Sequence, residues 1–228
     1  MKHAGKAQAA ALKIIFFSLG AVLLLLLVGF LAHKFGGFIL GLSGVLAVLW
    51  VLFAIFTFNF FRDPDATVPP GKKLVLAPAH GTVDLIDETE EMEFMGGRCQ
   101  RISIFLNVFD VHVQKAPLSG KMVFHKHRDG QYLSATRSDC AEFNENVLIG
   151  FIPAEAPEQK LGVRLIAGLI ARRINVWAAA GETVVAGERI SLVQFGSRGN
   201  IYLPMSATIK VKLGDKMVGG ESILATLS

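Results

Sequence analysis

The sequence predicts a mainly β domain (α+β by content) of the sandwich or barrel kind, preceded by an N-terminal transmembrane helical hairpin. Three observations carry this. Of 228 residues, 52% are hydrophobic, too many for a disordered chain. In the first 61 residues the apolar side chains run almost without interruption, as membrane-length helices require. Beyond them they come instead in short Val-, Ile- and Leu-rich runs bounded by Gly, Pro or Asp, which is strand spacing with turn signals.

Leu12 to Ala32 is interrupted only by Lys13. At about 1.5 Å per residue it is about 32 Å long, enough to cross a hydrocarbon core. His33-Lys34-Phe35-Gly36-Gly37 breaks the run, and Phe38 to Phe61 follows without a charge. Both stretches are too long for the apolar core of a signal peptide. Lys2, Lys6 and Lys13 precede the first span and Arg62, Lys72 and Lys73 follow the second, so the positive-inside bias puts both ends in the cytoplasm. One spanning helix with one buried or interfacial helix is the alternative, and it would move residues 62–228 across the membrane. The expected division is an anchor at 1–61 and a folded domain at 62–228.

Arg62-Asp63-Pro64-Asp65 and Pro69-Pro70-Gly71 punctuate the exit from the anchor. Strands are expected at Leu74–Leu76, Thr82–Ile86, Ile102–Leu106, Lys121–His125, Val147–Phe151, Thr183–Val185, Ile190–Phe195, Asn200–Leu203, Thr208–Leu213 and Ser222–Leu227. Val163–Trp177 reads as the one substantial helix, with Leu165, Ile166, Leu169 and Ile170 on one face and Arg172-Arg173 near its end. Residues 77–83, 116–122 and 203–209 share a Pro, a small residue and a following strand. Residues 181–188 and 214–221 share a Gly-turn, short-strand, Gly-turn pattern of the kind that recurs in the flattened sandwiches of lipoyl and biotinyl carriers.

The formal charge of +4 lies wholly in residues 1–61, where Lys2, Lys6, Lys13 and Lys34 meet no acid. The remainder balances 19 basic against 19 acidic side chains, so no phosphate-tracking excess exists and nucleic acid is not an expected partner. Cys99 and Cys140 alone form neither a disulfide scaffold nor a zinc motif and read as free thiols. The acidic run Asp84, Asp87, Glu88, Glu90, Glu91 and Glu93 lacks ligand spacing and reads as a solvated loop or edge, with no metal site. His125-Lys126-His127-Arg128 reads as a solvated hairpin, and Met92, Met95, Met122, Met205 and Met217 as core or interface filler.

The informative stretch is Ile190 to Pro204, two β-runs joined at Gly196-Ser197 without ordinary hairpin chemistry. Glycine tolerates strained backbone and leaves its carbonyl accessible, and a following hydroxyl can attack that carbonyl if the geometry is forced. A Gly-Ser pair alone is nonspecific. Five segments in order are specific: Phe60-Phe61-Arg62-Asp63-Pro64; Ala77-Pro78-Ala79-His80-Gly81; Asn107 to Val113, continuing to Gly120; Asn144-Glu145-Asn146; and Phe195-Gly196-Ser197-Arg198. Over residues 58–228 the sequence resembles the short type of phosphatidylserine decarboxylase proenzyme.

The resemblance implies autocatalytic cleavage between Gly196 and Ser197, giving a β chain of residues 1–196 and an α chain of residues 197–228. It implies a covalent pyruvoyl group made from Ser197, which decarboxylates phosphatidylserine to phosphatidylethanolamine through a Schiff base. His112 matches the family histidine that serves decarboxylation and is the expected general acid. The sequence departs from the family at His80, where the family has Asp, and at Lys115, where it has a second His. Those two groups are the ones given to serine activation in the family; His80 is the favoured replacement base, with His112 serving both steps as a second choice and slow or absent processing as a third. The implied partners are phosphatidylserine, the bilayer and the α and β chains of one molecule, with a homo-oligomer compatible, and the implied place is the cytoplasmic face of the inner membrane. Two further readings are a pyruvoyl-dependent decarboxylase of another amine and a non-catalytic membrane adaptor with a lipoyl-like barrel.

Overall fold

The computed structural model describes residues 5–31, 37–135, 137, 140–169, 173–194 and 196–228. The chain divides into two compact units, Gly5–Asp63 and Pro64–Ser228. In the first, α1 (Lys6–Leu31) and α2 (Gly37–Phe60) are long and apolar enough to cross a membrane. Neither contains proline, and Trp50 donates its indole N–H to Ser18 Oγ at 2.9 Å, joining α2 to α1. Phe17 is 85% exposed and Phe30 73%, a display of apolar surface that suits lipid rather than water. Lys2, used above to orient the anchor, and residues 32–36 between the two apolar stretches lie outside the described residues.

The second unit is built from short strands. In chain order they are β1 (Leu74–Leu76), β2 (Gly81–Glu91), β3 (Gly97–Leu106), β4 (Val113–Lys115) and β5 (Gly120–Arg128), then the one-turn α3 (Cys140–Phe143). There follow β6 (Asn146–Pro153), β7 (Leu161–Ala167), β8 (Ile174–Val176), β9 (Thr183–Val184), β10 (Arg189–Val193), β11 (Ser197–Leu203), β12 (Thr208–Ile209), β13 (Lys216–Met217) and β14 (Ile223–Thr226). A curled antiparallel sheet of eight strands runs β13-β2-β3-β11-β7-β6-β5-β9, beside two three-stranded sheets, β1-β14-β12 and β4-β10-β8. Ile102, Ile104, Val163, Leu165, Ile201 and Leu203 from the middle of the large sheet share one core with Val75, Val193 and Leu224 of the small ones.

The segments that share these sequence patterns make matching pairings. Thr82 pairs with Lys216 as Lys121 pairs with Thr183, so β13 and β9 end the large sheet in the same way on opposite sides. Leu76 N–H donates to Pro117 O at 2.7 Å and Lys115 N–H to Pro78 O at 2.8 Å, a reciprocal exchange between the two Ala-Pro segments. Both β2·β3 and β5·β6 carry a bulge at the matching place, after Val83 and after Met122. Gly181, Gly187, Gly214 and Gly220 have φ of +93°, +76°, +88° and +80°, a left-handed backbone that explains why each repeat is bracketed by glycine. The third Pro-containing segment, residues 203–209, instead ends β11 and turns into β12.

One expected element is overturned. No helix forms at Val163–Trp177: residues 161–167 are β7 and 174–176 are β8, with 170–172 outside the described residues. All seven residues of β7 are buried between β11 and β6, so apolar side chains occupy both faces and the spacing imitates a helical stripe. Arg173 therefore caps no helix. The acidic run is a strand edge and not a loop: residues 84–91 belong to β2 beyond the Gly81 and Thr82 that β13 covers, and Glu91 is buried, its carboxylate accepting the N–H groups of Glu93, Phe94 and Met95 and pairing with Arg164 at 3.2 Å. Residues 125–128 extend β5 as an exposed strand in which Lys126 and Arg128 both reach Glu93. Met122 and Met217 sit in the core, whereas Met92 and Met205 are exposed. Cys99 and Cys140 are both buried and are not joined in a disulfide.

Candidate active site

Ser197 opens β11, where its neighbours across the sheet are Leu106 of β3 and Ala167 of β7. It is 1% exposed, and its Oγ has no hydrogen-bond partner among the described residues. A buried hydroxyl left unpaired is costly, and such groups concentrate where chemistry needs them. The residue before it, Gly196, has φ +78°, a conformation a side chain would strain. Phe195, which completes the sequence motif, lies outside the described residues.

Two groups hold Gly196, one on each side of its Cα. The Gly196 N–H donates to His112 Nε2 at 3.3 Å, and the Gly196 carbonyl accepts the Gly168 N–H at 3.2 Å. His112 is fully buried, with Nδ1 2.9 Å from the Asp110 carbonyl. A carbonyl only accepts, so the network assigns the ring proton to Nδ1 and makes Nε2 the acceptor of the Gly196 N–H. The His112 carbonyl takes Gln114 Nε2 at 2.8 Å, and Gln114 Oε1 takes the Ser191 hydroxyl at 2.8 Å, so β4 and β10 hold the histidine by buried polar contacts. Gly168 is there for space: a Cβ on it would lie 2.6 Å from the Gly196 oxygen and 3.2 Å from Ala135 Cβ.

The following residue anchors the new end that a cut would create. Arg198 is buried, its guanidinium donating to Asp84 at 2.6 and 3.3 Å, to Ser103 Oγ at 3.0 Å and to the Ala135 carbonyl at 3.1 Å. Asn144, also buried, donates to the Leu133 and Ala167 carbonyls and accepts the Leu133 N–H, tying the segment around 133–135 to the strand beside Ser197. Glu145 accepts the Tyr132 hydroxyl at 2.6 Å and faces His127 Nε2 at 3.1 Å, and Asn146 accepts from Arg164. His80, half-buried, accepts the Gly219 N–H at Nδ1, 3.2 Å away. Lys115 is fully buried with Nζ 3.1 Å from the Pro64 carbonyl. Its strand neighbour Arg189 binds Asp65 at 2.8 Å, and that guanidinium, chiefly by its hydrogen bond, holds the Asp65 carboxyl below its ordinary range.

A family model described as phosphatidylserine decarboxylase matches residues 53–225. Among similar proteins, one from Desulfotalea psychrophila is 39% identical over 183 residues, covering 80% of this chain and 85% of its own. One from Geobacter metallireducens is 40% identical over 211 residues, covering 92% and 93%. One from Symbiobacterium thermophilum is 37% identical over 186 residues, covering 82% and 84%. Each carries the name phosphatidylserine decarboxylase proenzyme. The chain belongs to the phosphatidylserine decarboxylase family.

Of the residues that sequence singled out for this family's chemistry, the structure brings Gly196, Ser197 and His112 together, while the hydrogen bond described for His80 goes to Gly219 and that of the Lys115 ammonium to Pro64. Sequence reading missed Gly168, whose neighbours Ala167 and Leu169 hid it inside an apolar run, and Asp84, submerged in the acidic stretch. Among the described residues no cluster of three His, Cys, Asp or Glu could hold a metal. A cavity of about 340 Å³ lined by Val68, Leu74, Leu76, Leu118, Leu227 and Lys73, among others, involves none of the residues at the Gly196–Ser197 link.

Proposed function

We propose that this chain cuts itself between Gly196 and Ser197 and then decarboxylates phosphatidylserine to phosphatidylethanolamine with the pyruvoyl group that Ser197 becomes. The observation that carries the reading is the setting of this link: an unpaired, buried Ser197 hydroxyl follows a carbonyl that already receives the Gly168 N–H, beside a histidine whose Nε2 accepts the Gly196 N–H. Ser197 Oγ attacks the Gly196 carbonyl carbon and His112 Nε2 takes the hydroxyl proton. The Gly168 N–H receives the negative charge that develops on the Gly196 oxygen. His112 returns the proton to the Ser197 nitrogen as the C–N bond breaks, leaving an ester. Loss of the Ser197 α-proton then expels the Gly196 carboxylate, and hydrolysis of the resulting dehydroalanine releases ammonia and leaves the keto cap. That cap supplies an electron sink for the pair left behind when CO₂ departs. His112, within reach of residue 197, holds the proton that the product carbon needs.

Contact with the Gly196 amide favours His112 over His80 as acceptor of the Ser197 proton. The second reading gives that role to His80, on the strength of its place in the Ala77–Gly81 segment. The cut would not separate the chains, because β11 of the small fragment lies between β3 and β7 of the large one and is buried along its whole length. We read residues 1–61 as a membrane hairpin with both ends cytoplasmic, residues 62–228 as the decarboxylase domain, and the paired glycine-bracketed units as repeats of the lipoyl-carrier kind. The test is the full chain in phosphatidylserine vesicles, followed by intact mass and by released CO₂. His112→Gln is expected to slow cleavage at least about 100-fold and His80→Gln far less. The reverse order would transfer the base to His80, and CO₂ from a soluble amino acid but none from phosphatidylserine would refute the lipid substrate.

A further inference from the structure

Leu106 and Ala167 are the two cross-strand partners of Ser197, so the loops that leave β3 and β7 both emerge at the end of the sheet that carries the scissile link. The first loop contains Phe109, 65% exposed, and the second Leu169, 66% exposed. Phe109 is held in that state by a closed turn: Asp110 Oδ2 accepts the Asn107 N–H at 2.8 Å, Asn107 Oδ1 accepts the Phe109 N–H at 3.1 Å, and the Asp110 N–H donates to the Asn107 carbonyl at 2.8 Å. The same two loops supply His112 and Gly168 to the site. Arg173, exposed, follows Leu169 in the second loop, and its carbonyl accepts the Gln194 N–H two residues before Gly196.

We propose a membrane-contacting rim made by Phe109, Leu169 and Arg173: Phe109 and Leu169 enter the interface of the bilayer, and Arg173 meets lipid phosphate, while the headgroup reaches residue 197. The inference rests on the proposed function for the identity of the substrate. A diacyl lipid leaves the bilayer only at great cost in exposed hydrocarbon, whereas Ser197 is 1% exposed. The mouth of the site must therefore meet the membrane, and apolar side chains with a flanking cation are what an anionic lipid surface binds. α1 and α2, of membrane length, place the same chain at such a surface.

The experiment uses the full chain reconstituted in phosphatidylserine–phosphatidylcholine vesicles containing lipids brominated on the acyl chain. Phe109→Trp and Leu169→Trp are compared with Val185→Trp, a position equally exposed at 64% but on the β9 turn. Emission from residues 109 and 169, taken as the difference from the parent chain, is expected to be quenched about twofold or more beyond residue 185; equal quenching at all three overturns the proposal. Second, the double variant Phe109→Asp/Leu169→Asp is expected to lower the ratio of turnover on vesicles to turnover on a short-chain, monomeric phosphatidylserine about tenfold. An unchanged ratio overturns it too. If the parent chain decarboxylates neither substrate, the functional reading fails, and the quenching pattern still decides for or against the rim.

Discussion

Gly168→Ala is the substitution whose effect follows most directly from distances. The added Cβ would lie 2.6 Å from the Gly196 oxygen and 3.2 Å from Ala135 Cβ, so it is gripped from both sides. Ordinary contact requires a displacement of roughly 0.5–1 Å. A hydrogen bond that starts at 3.2 Å would then span about 4 Å and cease to exist. Removing one donor from a developing oxyanion costs about 10²–10³ in rate, and a misplacement near 1 Å at reacting atoms costs a comparable factor. Gly168 is not in the left-handed region, so the strain that alanine adds comes from its close approach to Gly196 and Ala135 and not from its own φ. The assay is a time course of intact mass after synthesis, with thermal unfolding as the check on folding. A folded Gly168→Ala chain that matures as fast as the parent would refute the role given to the Gly168 N–H.

Other consequences are equally concrete. Ser197→Ala removes an unpaired buried hydroxyl and is expected to leave the chain uncut with unchanged or slightly raised stability, read by mass and melting temperature together. Glu91→Ala leaves three turn amides without their acceptor and takes from Arg164 one of two carboxylate partners, Glu93 at 3.3 Å remaining, and should cost about 1–3 kcal/mol in urea unfolding. Burial, the largest cause, pushes the Cys99 thiol up from 9.0 to about 11, so above pH 9 the folded state holds a proton that the unfolded state gives up. Stability is therefore full below pH 9 and falls as pH rises toward 11, and Cys99→Ser should flatten that slope in unfolding measured across the range.

Most of the strand pattern could be read from the sequence because each short apolar run ends at a glycine, proline or acid that the turn needs. The helix wrongly expected at Val163–Trp177 shows where that logic stops. A strand buried on both faces loses its alternation, and the only polar residue within β7, Arg164, pairs with Glu91, 73 residues away. At the site, Gly196, Ser197 and His112 were legible through ordered motifs. Gly168 and Asp84 were not, since one acts through its lack of a side chain and the other through a partner, Arg198, that is 114 residues distant. The reciprocal exchange between Leu76–Pro117 and Lys115–Pro78 was visible only as a faint repeat, because the strands it relates are two or three residues long.

The central claim is that the Gly196–Ser197 peptide is made to break. The intact mass of the full-length chain, purified from membranes in decarboxylating form, tests it most directly. The account predicts two tightly associated pieces, the smaller beginning at residue 197 with a keto group that borohydride and an amine trap together. One uncut 228-residue chain in material that evolves CO₂ from phosphatidylserine would contradict it.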